Sequence, residues 1–128
     1  MDDGVLDIVT EERGGIFTLI LKGTVNITTS PRLRRAVLSA FEKGVQAVLL
    51  EITGVSQMDS SALATLVEGM QLAEQTHRHF ALAGHMDEKI FHLLQITHLE
   101  DLFPLYPSLE QAMQTVSTPP HSQAREAD

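Results

Sequence analysis

Apolar residues near the start of the chain are gathered in two short segments. Two apolar segments, roughly 4–10 and 15–22, lie on either side of a polar and glycine-rich stretch, Glu11-Glu12-Arg13-Gly14-Gly15. Apolar segments separated by a short glycine-containing turn are typical of a β-hairpin. We therefore predict two antiparallel strands at the N-terminal end.

The pattern then changes to a helical period. Ser30 can cap a helix and Pro31 suits a first helical turn, so a helix is expected to start here and to stop at Gly44. The apolar positions of this helix recur at helical spacing and are Leu33, Val37, Ala40 and Phe41.

Strands and helices alternate from residue 47 onwards. The near-continuous apolar run 47–52 predicts a strand buried on both faces, as parallel strands usually are. Apolar residues at i, i+3, i+4 and i+7 predict a helix from about 60 to 77. A short strand at 80–83 follows, and Asp87 can cap the next helix.

The last elements are a short apolar segment at 102–105, interpreted as an edge strand, and a helix opened by the capping-box pattern Ser108-Leu109-Glu110-Gln111. The order β-β-α-β-α-β-α-β-α predicts one α/β domain over residues 1–116. Its central mixed sheet has four to five strands, an N-terminal antiparallel hairpin and a parallel core, packed with about four helices. The polar, proline-containing tail 117–128 is expected to be disordered.

Composition and charge argue against several classes of function. The net charge of −8 and pI of about 5.1 argue against direct nucleic-acid binding. No apolar run approaches the roughly 20 residues that a membrane helix needs, and the acidic N-terminus does not resemble a signal peptide. We therefore expect a cytoplasmic protein without membrane insertion. An exposed strand edge could pair with that of a second copy of the chain and form a weak homodimer.

The stretch Gln57-Met58-Asp59-Ser60-Ser61-Ala62-Leu63 is the most informative part of the chain. It places two hydroxyls and a carboxylate where a strand leads into a helix, a point at which free N–H groups and the positive end of the helix dipole favour a phosphate. Ser60 is therefore a candidate for reversible phosphorylation. The alternative is that Asp59 or Ser60 serves as the N-cap of the helix and nothing more.

The segment Met58–Leu63, after the apolar strand and Gly54, resembles the signature of STAS domains, and most of all the anti-sigma factor antagonists of bacteria. The resemblance covers nearly the whole chain from about 5 to 116. It extends to three further segments: Gly23-Thr24-Val25-Asn26, Leu82-Ala83-Gly84, and Leu94-Gln95-Ile96-Thr97-His98-Leu99 before Phe103-Pro104.

This resemblance implies a partner-switching regulator of transcription. Its main partner would be an anti-sigma factor with serine kinase activity, which phosphorylates Ser60, and a serine phosphatase would reverse the modification. The unphosphorylated protein would hold the anti-sigma factor and so free the sigma factor. The residues expected at the partner interface are Asn26, Met58, Asp59, Ser60 and Ser61.

Two positions depart from the pattern of the family. Asn26 stands where the family often has an acidic residue, and Ala62 stands where it often has glycine. Both differences point towards an alternative function, a non-phosphorylated STAS accessory subunit of a lipid-transporting ABC system.

A third hypothesis makes Ser60 an enzyme nucleophile, and the sequence offers it no support. Neither a Gly-x-Ser-x-Gly elbow nor a Gly-x-x-x-x-Gly-Lys phosphate loop is present. The six histidines lack the spacing of metal ligands, and cysteine is absent. We therefore expect a protein that is not an enzyme and that has no cofactor and no metal.

Overall fold

A computed structural model describes residues 5–117 of the chain. The strands are β1 (Leu6–Arg13), β2 (Ile16–Val25), β3 (Ala47–Met58), β4 (His79–Ala83) and β5 (Leu105–Tyr106). The helices are α1 (Ser30–Glu42), α2 (Ser60–Gln75), α3 (Glu88–Ile96) and α4 (Leu109–Val116). Apart from Ser117, the tail predicted to be disordered lies outside the described residues.

The five strands form one sheet whose order, β1-β2-β3-β4-β5, is that of the chain. β1 pairs antiparallel with β2, and the remaining neighbours are parallel. The predicted fold class is confirmed: an antiparallel hairpin continues into a parallel core, and four helices pack on it within the described residues.

The two faces of the sheet carry separate apolar clusters, because successive side chains of a strand point to opposite faces. Along β3, Val48, Leu50 and Ile52 belong to the larger cluster, with apolar residues of α1, α2 and α3. Ala47 and Leu49 face the other way, into a smaller cluster covered by α4. The apolar run 47–52 is thus buried on both faces, as predicted.

β3 is longer than the apolar run that predicted it, and it continues to Met58. Residues 53–58 remain paired with β2 through irregularities in register between Ile20 and Lys22 and between Gly23 and Thr24. The pairing is close: a Cβ at Gly54 would lie 3.0 Å from the carbonyl oxygen of Leu21. The expected loop before α2 is therefore mostly strand.

The start of α1 corrects one prediction. The helix begins at Ser30, and Pro31 lies in its first turn as expected, but Thr29 occupies the cap position without a side-chain capping bond. The Thr29 hydroxyl instead donates to the carbonyl oxygen of Thr24 over 2.8 Å. The loop between β2 and α1 is thereby tied back to its own strand.

The other caps agree better with the sequence. Asp87 accepts the N–H of Lys89 at the start of α3, and Ser108 accepts the N–H of Gln111 at the start of α4. The predicted edge strand at 102–105 is shorter and lies at Leu105–Tyr106. Over residues 5–117, no helix has the length and apolar character needed to cross a membrane.

Candidate functional site at the start of α2

The carboxyl ends of β2 and β3 bring two segments of the candidate site together. The strands are in parallel register up to Val25 opposite Met58, and the N–H of Asp59 donates to the carbonyl oxygen of Val25 over 3.2 Å. The loop 26–29 that follows β2 therefore lies beside the first residues of α2. This edge is where parallel sheets commonly present their sites.

Asp59 is the N-cap of α2. Its backbone is extended, with φ −122° and ψ −171°. Its Oδ1 accepts the N–H of Ser61 at 3.0 Å and the N–H of Ala62 at 3.2 Å. Asp59, and not Ser60, is thus the capping residue, and Ser60 is the first residue of the helix.

The second carboxylate oxygen of Asp59 serves a different segment. Oδ2 accepts the N–H of Ile27 at 3.2 Å, across 32 positions of sequence. One carboxylate therefore caps α2 and fastens the loop 26–29. Sequence reasoning missed this bond, because it depends on the register of β2 against β3.

Asn26 organises the same loop from within. Its Oδ1 accepts the N–H of Thr28 at 2.9 Å and that of Thr29 at 3.1 Å. An acidic residue at this position could accept the same bonds, so the amide preserves the local geometry while removing the charge. The side chain predicted to face a partner is half-buried and directed to its own loop.

Hydrogen bonding controls the ionisation of Asp59. Partial burial alone would raise the pKa of this carboxyl. The hydroxyl of Ser61 and the backbone N–H groups of Ala62, Ser61 and Ile27 together outweigh that effect and lower the pKa below its ordinary value. The site therefore carries a stable negative charge next to Ser60.

The two serines occupy different environments. Ser61 is half-buried, and its Oγ donates to Asp59 Oδ1 over 2.5 Å. Ser60 is exposed, and its hydroxyl has no hydrogen-bond partner among residues 5–117. A modifying enzyme approaching this edge meets a free hydroxyl at Ser60 and an engaged one at Ser61.

Met58, a residue of the predicted site, and Ala62, a departure from the family pattern, are buried to different degrees. Met58 is half-buried and packs against the larger apolar cluster, so it presents only part of its side chain. Ala62 is fully buried within that cluster. The methyl group at this departure from the family pattern therefore lies in the core and not on the exposed face.

A cleft of about 470 Å³ lies beside this edge. Its walls come from the ends of β2 and β3 and from the start of α3, and its lining residues are Thr24, Val25, Asn26, Ser56, Gln57, Met58, Asp59, Lys89 and Ile90. Lys89 contributes the cationic group of this lining. No motif marked it in advance, since it reaches the site through the packing of α3.

In the part of the chain that the structure describes, no histidine bonds to the hydroxyl of Ser60. Over the same residues, no group of three or more histidine and acidic side chains is placed to hold a metal ion.

Comparison with known proteins decides the family. The STAS domain family matches residues 7–112. The chain belongs to this family. The STAS domain is also 27% identical over 97 residues to the anti-sigma-B factor antagonist of Staphylococcus epidermidis, an alignment that covers 76% of this chain and 89% of that protein.

Solved structures show the same fold. An anti-sigma factor antagonist from Mycobacterium paratuberculosis matches with a TM-score of 0.79 at 20% identity, over 90% of this chain and 97% of that one. The Bacillus cell fate determinant SpoIIAA, in its phosphorylated form, matches with a TM-score of 0.68 at 18% identity, over 86% of this chain and 99% of that one.

Proposed function

We propose that this STAS domain is an anti-sigma factor antagonist whose binding is switched by phosphorylation of Ser60. Unmodified, it holds an anti-sigma factor with serine kinase activity and so frees a sigma factor. Phosphorylated, it releases that partner. The name of the Staphylococcus epidermidis relative, anti-sigma-B factor antagonist, supports the antagonist role.

The observation that carries the switch is the free hydroxyl of Ser60. It is exposed at the first position of α2, whereas the hydroxyl of Ser61 is already engaged by Asp59. A kinase must bring its base and the γ-phosphate of ATP to the nucleophilic oxygen, and the exposure of Ser60 favours that approach. The choice between adjacent serines thus has a structural cause.

The position also suits a phosphate once it is formed. A phosphoserine adds about −1.5 to −2 charges near pH 7. The positive end of the α2 dipole partly compensates that charge, so the domain should remain folded after modification. The effect is then confined to the exposed face, where a surface shaped for a neutral hydroxyl would meet a dianion.

Release is favoured by the charges that surround the site. Asp59 is ionised next to Ser60, and the chain carries a net charge of −8. A phosphate on Ser60 would remain available to repel an acidic or apolar partner surface, until a serine phosphatase removes it.

The test is intact-mass spectrometry after incubation with ATP and each candidate anti-sigma factor kinase encoded in the same genome. We expect the wild-type chain to gain one phosphate, Ser60→Ala to gain none, and the matched control Ser61→Ala to gain one. Phosphate uptake by Ser60→Ala at the wild-type rate would contradict the proposal. Absence of uptake with every kinase, together with co-purification of a transporter ATPase, would favour the ABC accessory subunit.

A further inference from the structure

Ile27 is the most exposed large apolar residue of the described chain. Its side chain is 77% exposed, against 39–59% for the other large apolar residues that reach solvent. It lies in the loop 26–29, directly beside the start of α2. A large aliphatic side chain in this position loses contact with water only when another molecule covers it.

The loop that carries Ile27 is held firmly. The Thr29 hydroxyl accepts the N–H of Asn26 at 2.9 Å and donates to the carbonyl oxygen of Thr24. The N–H of Ser30 donates to the carbonyl oxygen of Asn26 over 2.7 Å. With the Asn26 side chain and Asp59 added, each N–H from position 26 to position 30 has an acceptor.

Such rigidity matters for binding. An exposed apolar side chain on a flexible loop must lose conformational freedom when it is bound, and that cost reduces affinity. The backbone of Ile27 is already held by hydrogen bonds, so little of the gain from burying its side chain would be spent on ordering the loop. Preorganised aliphatic residues of this kind commonly anchor protein interfaces.

We propose that Ile27 is the apolar anchor of the partner interface and inserts into an apolar pocket on the anti-sigma factor. The inference rests on the proposed function and adds to it the residue that supplies affinity. The bond from Ile27 to Asp59 makes the anchor continuous with the face that presents Ser60. The net charge of −8 opposes a second copy of this chain as the occupant.

Asp59 also connects the anchor to the switch. A phosphate on Ser60 places a dianion next to a carboxylate that is itself ionised. Repulsion would push the Asp59 carboxylate away from the phosphate and weaken its bond to the Ile27 N–H. Phosphorylation would thus act twice, by repelling the partner at Ser60 and by loosening the loop that positions the anchor.

The test measures the affinity of the unphosphorylated chain for the anti-sigma factor kinase that modifies Ser60, by calorimetry with a non-hydrolysable ATP analogue. We expect Ile27→Ala to weaken binding about tenfold or more. The matched control is Ile96→Ala, since Ile96 is 59% exposed at the far end of α3. This control should change the affinity by less than about twofold.

The outcomes separate the two proposals. Equal affinity of Ile27→Ala and wild type would overturn the anchor and leave the phosphorylation switch intact. A wild-type chain that neither binds nor accepts phosphate from any kinase would overturn both. If Ile27→Ala instead turns a dimer into a monomer in sedimentation without changing the affinity for the kinase, the occupant is a second copy and the anchor proposal is wrong.

A second measurement tests the connection through Asp59. Hydrogen exchange of the Ile27 amide should become faster after phosphorylation of Ser60, which weakens its bond to Asp59, and also in Asp59→Ala, which removes that acceptor. The amide of Ser30, which donates to Asn26 within the loop, is the internal reference. An Ile27 amide that exchanges at an unchanged rate in both forms would contradict the connection.

Discussion

Ser61 donates its hydroxyl hydrogen to Asp59 Oδ1 over 2.5 Å, and this bond makes two adjacent serines chemically unequal. It engages one hydroxyl and leaves that of Ser60 exposed. It also fixes the carboxylate that caps α2 and holds the loop of Ile27. Removing the Asp59 carboxylate should therefore lower the free energy of unfolding more than removing the hydroxyl of Ser60.

Asp59→Ala should lower the free energy of unfolding by about 1–2 kcal/mol, because it removes the cap of α2 and leaves the N–H of Ile27 without its acceptor. Ser60→Ala is the matched control, with an expected change within about 0.5 kcal/mol, since its exposed side chain bonds to nothing described. Urea unfolding at neutral pH measures both. Equal losses in the two variants would show that Asp59 does not contribute as a cap.

The stability contributed by Asp59 should depend on pH in a defined direction. Its folded-state pKa is lowered, so the folded protein holds fewer protons than the unfolded chain, whose aspartates titrate near about 3.9. The contribution is therefore fully present above that pH and is lost as pH falls through the folded pKa. The reference is Asp59→Asn, which cannot titrate at this position.

In practice, the difference in unfolding free energy between wild type and Asp59→Asn should be constant from about pH 7 to 5 and should shrink below about pH 4. Urea titrations across this range give the curve. A difference that grows on acidification would contradict a lowered pKa.

Gly69→Ala should destabilise the protein, although alanine normally favours a helix by about 1 kcal/mol over glycine. A Cβ at this buried position of α2 would lie 2.8 Å from two ring carbons of Phe80. We expect a net loss of about 1–3 kcal/mol from the clash. In the Phe80→Leu background, where the ring is absent, the same change should cost much less, and a strictly additive double-mutant cycle would contradict this contact.

His92 within α3 and His98 just after it should respond to glycine in opposite directions. His98 follows the helix with φ of 60°, and the N–H of Leu99 bonds back to Leu94, a helix end that usually carries glycine. His98→Gly should stabilise by up to about 1 kcal/mol, because it relieves the left-handed backbone. His92→Gly, within the helix, should destabilise by about 1 kcal/mol. Thermal unfolding compares them, and the same sign for both would rule out strain at His98.

The predictable parts of the structure are those in which burial imposes a period on the sequence. The sequence predicted β3 over 47–52 because both faces of the strand are covered there. It predicted α2 because one face of that helix packs on the sheet. The extension of β3 to Met58 could not be predicted from the sequence, because residues 53–58 pair through the backbone while most of their side chains reach solvent.

Some features of the candidate site could likewise be predicted from the sequence, and others could not. The Asp-Ser-Ser pattern revealed the cap and the exposed hydroxyl, since those features depend on neighbours in sequence. Ile27 and Lys89 were missed as parts of this edge, because strand register and the packing of α3 bring them there. The left-handed ends at His77 and His98 were also missed, since histidine is a much weaker signal for that backbone than glycine.

The order of the sheet, which follows the order of the chain, has a consequence for synthesis on the ribosome. Each strand pairs with the one made just before it, so no strand must wait for a later one to be inserted between two neighbours. A nascent chain that has reached Gln75 already contains every group that Asp59 binds. The segment with Ser60 and the loop of Ile27 can therefore come together as soon as α2 has left the ribosome, before β4 and β5 are free to pair.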